Sequence, residues 1–331
     1  MHCRHPRLAR ARATSLLLVA LTVAACGDAD STTESPASTV VATEAAATTG
    51  AIGPASTGPT AADTTSTDTG PTGSIATPSP VPPAGTPVSP APIDGIDART
   101  YGVYDLSAGR WLAGSGVDTP AAVGSIMKLL TAYVVMQAGD PGRVVTVPPL
   151  ALDPMESAIG LYEGEQLPRD VLLRAMLIVS ANDAARVLAQ DVGDDEATFV
   201  QMMNQAAQQL GLTGTVAGNP TGLDTAGAQS TVRDIVSLSS TLLQDESFRT
   251  TAARTSARLH GETIPASNDL LTTYAGADGI KTGTTTEAGH CLAASATRDG
   301  RQIVVVVLGS ASDESRVAAA SSLLDWAFTQ P

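Results

Sequence analysis

Residues 279–308 read GIKTGTTTEAGHCLAASATRDGRQIVVVVL, and three strand-like runs stand out in them: Gly279–Thr284, Cys291–Ala296 and Gln302–Leu308. Asp299-Gly300, between the last two runs, suits a two-residue hairpin turn, whose central positions need positive φ. Residues 312–328 then close the chain as a helix ending in Trp326 and Phe328. Far upstream, Tyr101-Gly-Val-Tyr-Asp105, a Ser-Ala-Gly turn and Arg110-Trp-Leu-Ala113 read as a second hairpin. Between the hairpins, Ser125–Gln137 reads as a buried helix. Residues 168–191, 195–210 and 230–244 carry helical periodicity, with Pro168 near the start of the first. Strands at both ends with helices between them predict an α+β domain over 95–331, its sheet assembled from the two chain ends.

What precedes that domain differs in kind. Residues 1–25 hold four arginines, no acid, an apolar run and small residues, the layout of an export signal. Val23-Ala24-Ala25-Cys26 is similar to a bacterial lipobox, so Cys26 is the expected lipidation site, with plain secretion as the alternative. From Gly27 to Ile93 the chain is mostly Thr, Ser, Ala, Pro and Gly, without an aromatic, Lys or Arg residue. Such a stretch buries too little apolar surface to offset its ordering entropy, and 26–94 reads as a disordered tether. Cys3 and Cys26 fall upstream, which leaves Cys291 alone in the domain, without a disulfide partner and in an apolar run that suits a small buried residue. The formal charge is −14, and losing the four signal arginines takes it to −18, which argues against a nucleic-acid partner.

The chain has 17 arginines and only two lysines, Lys128 and Lys281. Guanidinium stays charged, whereas a buried amine can become a base, so a retained lysine can mark a place where arginine cannot serve. Lys128 follows Ser125 by three residues in Gly124-Ser125-Ile126-Met127-Lys128. On a helix that spacing puts hydroxyl and amine on one face, with the serine near free backbone N–H groups. Lys281 stands in Asp278-Gly-Ile-Lys281-Thr282-Gly283-Thr284 on a predicted strand. Ser180-Ala181-Asn182 follows the apolar stretch Leu172–Val179 and alone would be an ordinary helix-end signature. It gains meaning from lying between the other two. Ser-x-x-Lys, a Ser-Asp-Asn element and Lys-Thr-Gly together are the set that penicillin-binding proteins share with class A β-lactamases.

With Gly218-Asn-Pro-Thr-Gly-Leu-Asp224 and Glu287-Ala-Gly-His-Cys-Leu292, these motifs make the chain from Arg99 to Phe328 resemble the low-molecular-mass D-alanyl-D-alanine carboxypeptidases. The resemblance implies a serine β-lactamase/penicillin-binding-protein transpeptidase-like fold, an antiparallel sheet flanked by helices plus a helical subdomain. It implies no cofactor or metal, a peptidoglycan stem peptide as substrate and β-lactams as covalent inhibitors. It gives Ser125 as nucleophile, Lys128 as base, Ser180 as proton relay to the leaving D-alanine and Asn182 as holder of the substrate amide. Lys281, Thr282, Gly283 and Thr284 form the carboxylate-binding strand, and the oxyanion sits between the N–H groups of Ser125 and Thr284. Met127 stands where Thr is more usual, and Thr284 where Tyr or His is common; both bear on substrate preference. Membrane attachment is expected through the Cys26 lipid instead of the C-terminal β-domain and amphipathic anchor of many relatives.

A Ser-His-Asp triad would need a histidine, and past the signal only His260 and His290 remain, one expected in a surface turn and one on a strand. A lysine near pKa 10.4 must fall by about 2.5–3 to serve near neutrality, a differential of roughly 3.5–4 kcal/mol. Burial and a second cation, for which Lys281 is the candidate, push that way. Lys128 is then the neutral base and Lys281 the charged anchor. Alternatives on the same scaffold are a DD-endopeptidase and a class A β-lactamase, the latter disfavoured because no Glu-x-x-Leu-Asn follows the second motif. An inactive muropeptide-binding sensor is the alternative from outside enzymes.

Overall fold

The computed structural model describes residues 93–331; the export signal, Cys26 and residues 27–92 expected above lie outside the described residues. In chain order the elements are β1 (Thr100–Asp105), β2 (Arg110–Ser115), a 3₁₀ turn (Gly124–Met127) that runs into α1 (Lys128–Gln137), β3 (Val144–Thr146), β4 (Gln166–Pro168), α2 (Arg169–Ile178), α3 (Asn182–Gly193), α4 (Glu196–Gln209), α5 (Val232–Leu242), α6 (Glu246–Ala252), β5 (Ser256–Leu259), β6 (Glu262–Pro265), α7 (Leu270–Thr273), β7 (Ala277–Thr285), β8 (Gly289–Arg298), β9 (Arg301–Ser310) and α8 (Asp313–Thr329).

The main sheet is antiparallel, with strand order β2-β1-β9-β8-β7. Its centre joins the two chain ends: β1 pairs with β9 from Thr100 opposite Leu308 to Asp105 opposite Ile303. Strand β9 is apolar without interruption from Ile303 to Leu308 because both of its faces are covered there. Ile303, Val305 and Val307 share one cluster with Leu323 and Leu324 of α8. Val304, Val306 and Leu308 alternate into the other cluster, with Ile126, Leu129 and Ile235 of the helical lobe. All of these are buried, and each contributes about 1.5–3 kcal/mol by leaving water. The β8–β9 turn has Asp299 at φ 51° and Gly300 at φ 78°, the two positive values that a right-twisted two-residue hairpin requires.

Two expected helices are modified. The stretch 168–191 is not one helix but two, α2 and α3, broken at Val179–Ala181. At the break Ser180 takes φ 68°, and the Asn182 N–H leaves the helical ladder to donate to Ser157 O at 2.7 Å. The Asp183 carboxylate, at the start of α3, accepts from the Ile159 and Leu161 N–H groups at 2.9 and 3.2 Å. The periodicity continues across the break because both helices bury one face in the same cluster. The helix expected from Ser125 begins with a 3₁₀ turn, and its α part starts only at Lys128.

Strand β7 lies at the edge of the sheet, and the 3₁₀ turn carrying Ser125 packs directly against it. The segment 147–165 crosses in front of α3, tied down by the Asp183 and Asn182 contacts above. Cys291 is buried on β8, as expected of a small core residue.

Candidate active site

Ser125 and Lys128 meet because of the 3₁₀ turn between them. In that geometry residues i and i+3 eclipse, so the two side chains leave the backbone on one edge. The Lys128 amine lies 2.8 Å from Ser125 Oγ. It is fully buried and has two further partners, Asn182 Oδ1 at 2.6 Å and the carbonyl oxygen of Thr221 at 2.7 Å. Burial holds its pKa well below the usual lysine value, and the Lys281 charge pushes it down further; Glu156 opposes the shift. Ser125 itself is only partly buried and open to an incoming substrate.

The Thr221 carbonyl belongs to the Gly218–Asp224 motif, and Asn219 builds that loop. Its Oδ1 accepts from Thr221 N (3.0 Å), Thr221 Oγ1 (2.7 Å), Gly222 N (2.7 Å) and Leu223 N (3.2 Å), while Nδ2 donates to Leu223 O and Thr225 Oγ1. Thr131 Oγ1 donates to Pro220 O at 2.7 Å and ties the loop to α1. Asp224 accepts from Thr285 Oγ1 and Glu287 N, which ties it to the β7–β8 turn. Removing Asn219 leaves several backbone groups unpaired, so Asn219→Ala is expected to lower unfolding free energy by about 2–3 kcal/mol. Urea denaturation measures this; an unchanged midpoint would show that the loop holds without Asn219.

Gly283 and Gly124 set how closely β7 approaches the nucleophile. A Cβ on Gly283 would collide with Val123 O and lie 3.0 and 3.1 Å from the Ile126 and Ser125 nitrogens. A Cβ on Gly124, whose φ is 56°, would lie 2.9 Å from Thr284 N. Only glycine fits at either position, and the Ser125 and Thr284 backbone nitrogens both lie at this close approach.

Further along β7, Lys281 is buried and donates to Thr282 O at 2.9 Å. Thr282 Oγ1 pairs with Ser267 Oγ at 2.8 Å. Thr284 is exposed, and its Oγ1 accepts from Arg316 Nη1 at 2.8 Å. Arg316, on α8, is 5% exposed, and its Nε has no partner among the described residues. Burial, with the Arg316 charge added, brings Lys281 down to about 7. Arg316 is thus a second cation beside Lys281, one that the sequence did not point to.

Of the residues singled out from sequence, the structure brings Ser125, Lys128 and Asn182 into direct contact, with Lys281, Thr282, Gly283 and Thr284 on the facing strand. Ser180 is buried at the α2–α3 break, but its hydroxyl makes no hydrogen bond to Ser125 or Lys128 among the described residues. His260 sits at φ 51° in the β5–β6 turn, bonded to Glu165, and His290 is on β8, bonded to Asp313; neither touches Lys128 or Ser125. No cluster of three His, Cys, Asp or Glu side chains able to hold a metal ion occurs among the described residues. From the sequence, Asn219 and Thr221 stand within their motif without an assigned role, and neither Glu156 nor Arg316 is singled out. The Gly218–Asp224 motif was the available signal for the first two.

An antiparallel sheet flanked by helices, with a serine and a buried lysine facing a Lys-Thr-Gly edge strand, defines the class of penicillin-recognising serine hydrolases. Within that class the chain belongs to the D-alanyl-D-alanine carboxypeptidase family, whose model matches residues 86–312. It is 31% identical over 244 residues to the D-alanyl-D-alanine carboxypeptidase DacF of Bacillus subtilis, an alignment covering 71% of this chain and 63% of that protein. The chain thus spans less than two thirds of that relative's length. Among solved structures, a D-alanyl-D-alanine carboxypeptidase from Mycobacterium tuberculosis matches with 31% identity and a TM-score of 0.69, over 74% of this chain and 96% of that one. Penicillin-binding protein D2 of Listeria monocytogenes, in its cefotaxime-bound form, matches with 29% identity and a TM-score of 0.66, over 72% and 100%.

Proposed function

We propose that this protein is a serine-type D-Ala-D-Ala carboxypeptidase that removes the terminal D-alanine from peptidoglycan stem pentapeptides, and that β-lactams trap the same serine. The observation that carries this reading is the buried Lys128 amine 2.8 Å from Ser125 Oγ, its pKa held well below the usual lysine value by burial.

Lys128 takes the Ser125 proton, and Oγ attacks the carbonyl carbon between the two D-alanines. The oxyanion that forms lies between the Ser125 and Thr284 N–H groups, where fixed donors stabilise developing charge. One Asn182 Nδ2 hydrogen holds the substrate amide, and Lys281, Thr282, Thr284 and Arg316 hold its terminal carboxylate. As the C–N bond breaks, the departing amine gains a proton, for which Ser180 is the relay. Water then attacks the acyl-Ser125 ester, releases the tetrapeptide and restores the hydroxyl.

A fluorescent penicillin should form a covalent adduct that is lost in Ser125→Ala, and a stem pentapeptide should yield free D-alanine. Absence of a Ser125-dependent adduct would sink the acyl-enzyme reading; an adduct without D-alanine release would point to an endopeptidase, and rapid drug turnover to a β-lactamase. We also propose that the protein is exported and held at the outer face of the membrane by a lipid on Cys26, with residues 26–94 as tether. The lipobox-like Val23–Cys26 and the composition of 27–93 support this.

A further inference from the structure

Lys128 uses one end of the Asn182 amide, and the other end has a partner of its own. Asn182 Nδ2 donates to Glu156 Oε2 at 3.0 Å. Glu156 comes from the segment 147–165; its side chain is 12% exposed, and its other oxygen pairs with Arg186 Nη2 at 3.1 Å. The two ends of an amide are nearly identical in shape, so the chemistry of the partners decides which way it points. A carboxylate only accepts, so it is satisfied by the NH₂ end alone. A neutral amine can donate to a carbonyl or accept from an NH₂, so Lys128 by itself selects neither orientation. Glu156 does.

The consequence falls on the Lys128 lone pair. A neutral amine has two N–H bonds and one lone pair, and Nζ has three neighbours. Asn182 Oδ1 and the Thr221 carbonyl can only accept, so they take both N–H bonds, and the lone pair is left facing the Ser125 hydroxyl. With the amide reversed, Nδ2 would donate into that lone pair and the serine proton would have no acceptor. We propose that Glu156 is a positioning residue for the base: it fixes the Asn182 amide so that the Lys128 lone pair is directed at Ser125. This rests on the acyl-enzyme reading above.

Glu156 also acts through its charge. The groups bearing on Lys128 are Lys281 from β7, Arg186 and Asp183 from α3, and Glu156 itself; Glu156 and Asp183 favour the ammonium form, whereas Lys281 and Arg186 oppose it. Losing the Glu156 charge therefore lowers the Lys128 pKa, and losing Arg186 raises it.

The test is the rate of Ser125 labelling by a fluorescent penicillin across pH, in the full chain. Glutamine can offer its own NH₂ to Asn182 Oδ1 and stabilise the reversed amide. Glu156→Gln should therefore acylate about 10–100-fold more slowly on the plateau, with its acid limb moved to lower pH. Arg186→Leu breaks the same ion pair but keeps the carboxylate; its plateau should stay within about threefold of wild type and its acid limb should move to higher pH. Glu156→Asp keeps an acceptor and should acylate faster than Glu156→Gln, which guards against a general folding defect. Equal losses in Glu156→Gln and Glu156→Asp, or a wild-type plateau and limb in Glu156→Gln, would overturn the proposal. A wild-type protein that shows no Ser125 adduct would overturn the underlying reading, and this one with it.

Discussion

Lys128→Arg abolishes acylation of Ser125, with the labelling rate falling by about 10³-fold or more, whereas Lys281→Arg keeps measurable activity. The difference lies in what each position asks of its cation. General-base transfer contributes about 10²–10⁴ in rate, and a guanidinium, charged at every working pH, supplies none of it. A larger head group must also fit among Ser125, Asn182 and Thr221, all within 2.8 Å of the present amine. Position 281 needs positive charge toward a carboxylate, which arginine provides, so a loss of about 10–100-fold from altered shape is the expected result there. The pH profile separates the two further. Lys128 works deprotonated, so acylation rises with pH through its lowered pKa. Lys281 works protonated and titrates at about 7, so wild-type kcat/KM falls again above that value. In Lys281→Arg the alkaline limb should disappear while the acid limb remains. Near-normal acylation by Lys128→Arg would show that the base has been misassigned.

Gly283→Ala should cost nearly as much, although it removes no functional group. The added methyl would collide with Val123 O and press on the Ile126 and Ser125 nitrogens. Backbone cannot yield as a flexible side chain can, so β7 and the 3₁₀ turn must move apart by several tenths of an ångström or more. That separation pulls the Thr284 N–H away from the Ser125 N–H. Losing one oxyanion donor costs about 10²–10³ in rate, so acylation by penicillin and D-alanine release should both fall by that factor. Pre-steady-state labelling, with a melting curve to confirm folding, decides it; a rate within about threefold of wild type would mean that the two N–H groups do not act together.

Much of the fold was legible along the chain. Asp299-Gly300 and the apolar run after it locate the β8–β9 hairpin, and the hairpin at 101–113 supplies the strand that pairs with β9. The break at Ser180 was not legible, because α2 and α3 keep the same buried stripe on either side of it. What breaks the helix is a set of hydrogen bonds from α3 to Ser157, Ile159 and Leu161, residues that carry no helical or strand signal of their own.

The same division runs through the site. Ser125 and Lys128 are three residues apart, and a single turn of backbone brings their side chains together, so the sequence by itself determined that a hydroxyl and an amine would meet. It also determined that a Lys-Thr-Gly strand would be available to face them. Whether that amine is a base was decided only by tertiary structure, because proton affinity depends on burial and on neighbours distant along the chain. Thr221 lies 93 residues from Lys128 and Asn182 lies 54. Arg316 reaches Thr284 across 32 residues, and Glu156 reaches Asn182 across 26. Packing places these groups, and no local periodicity records them.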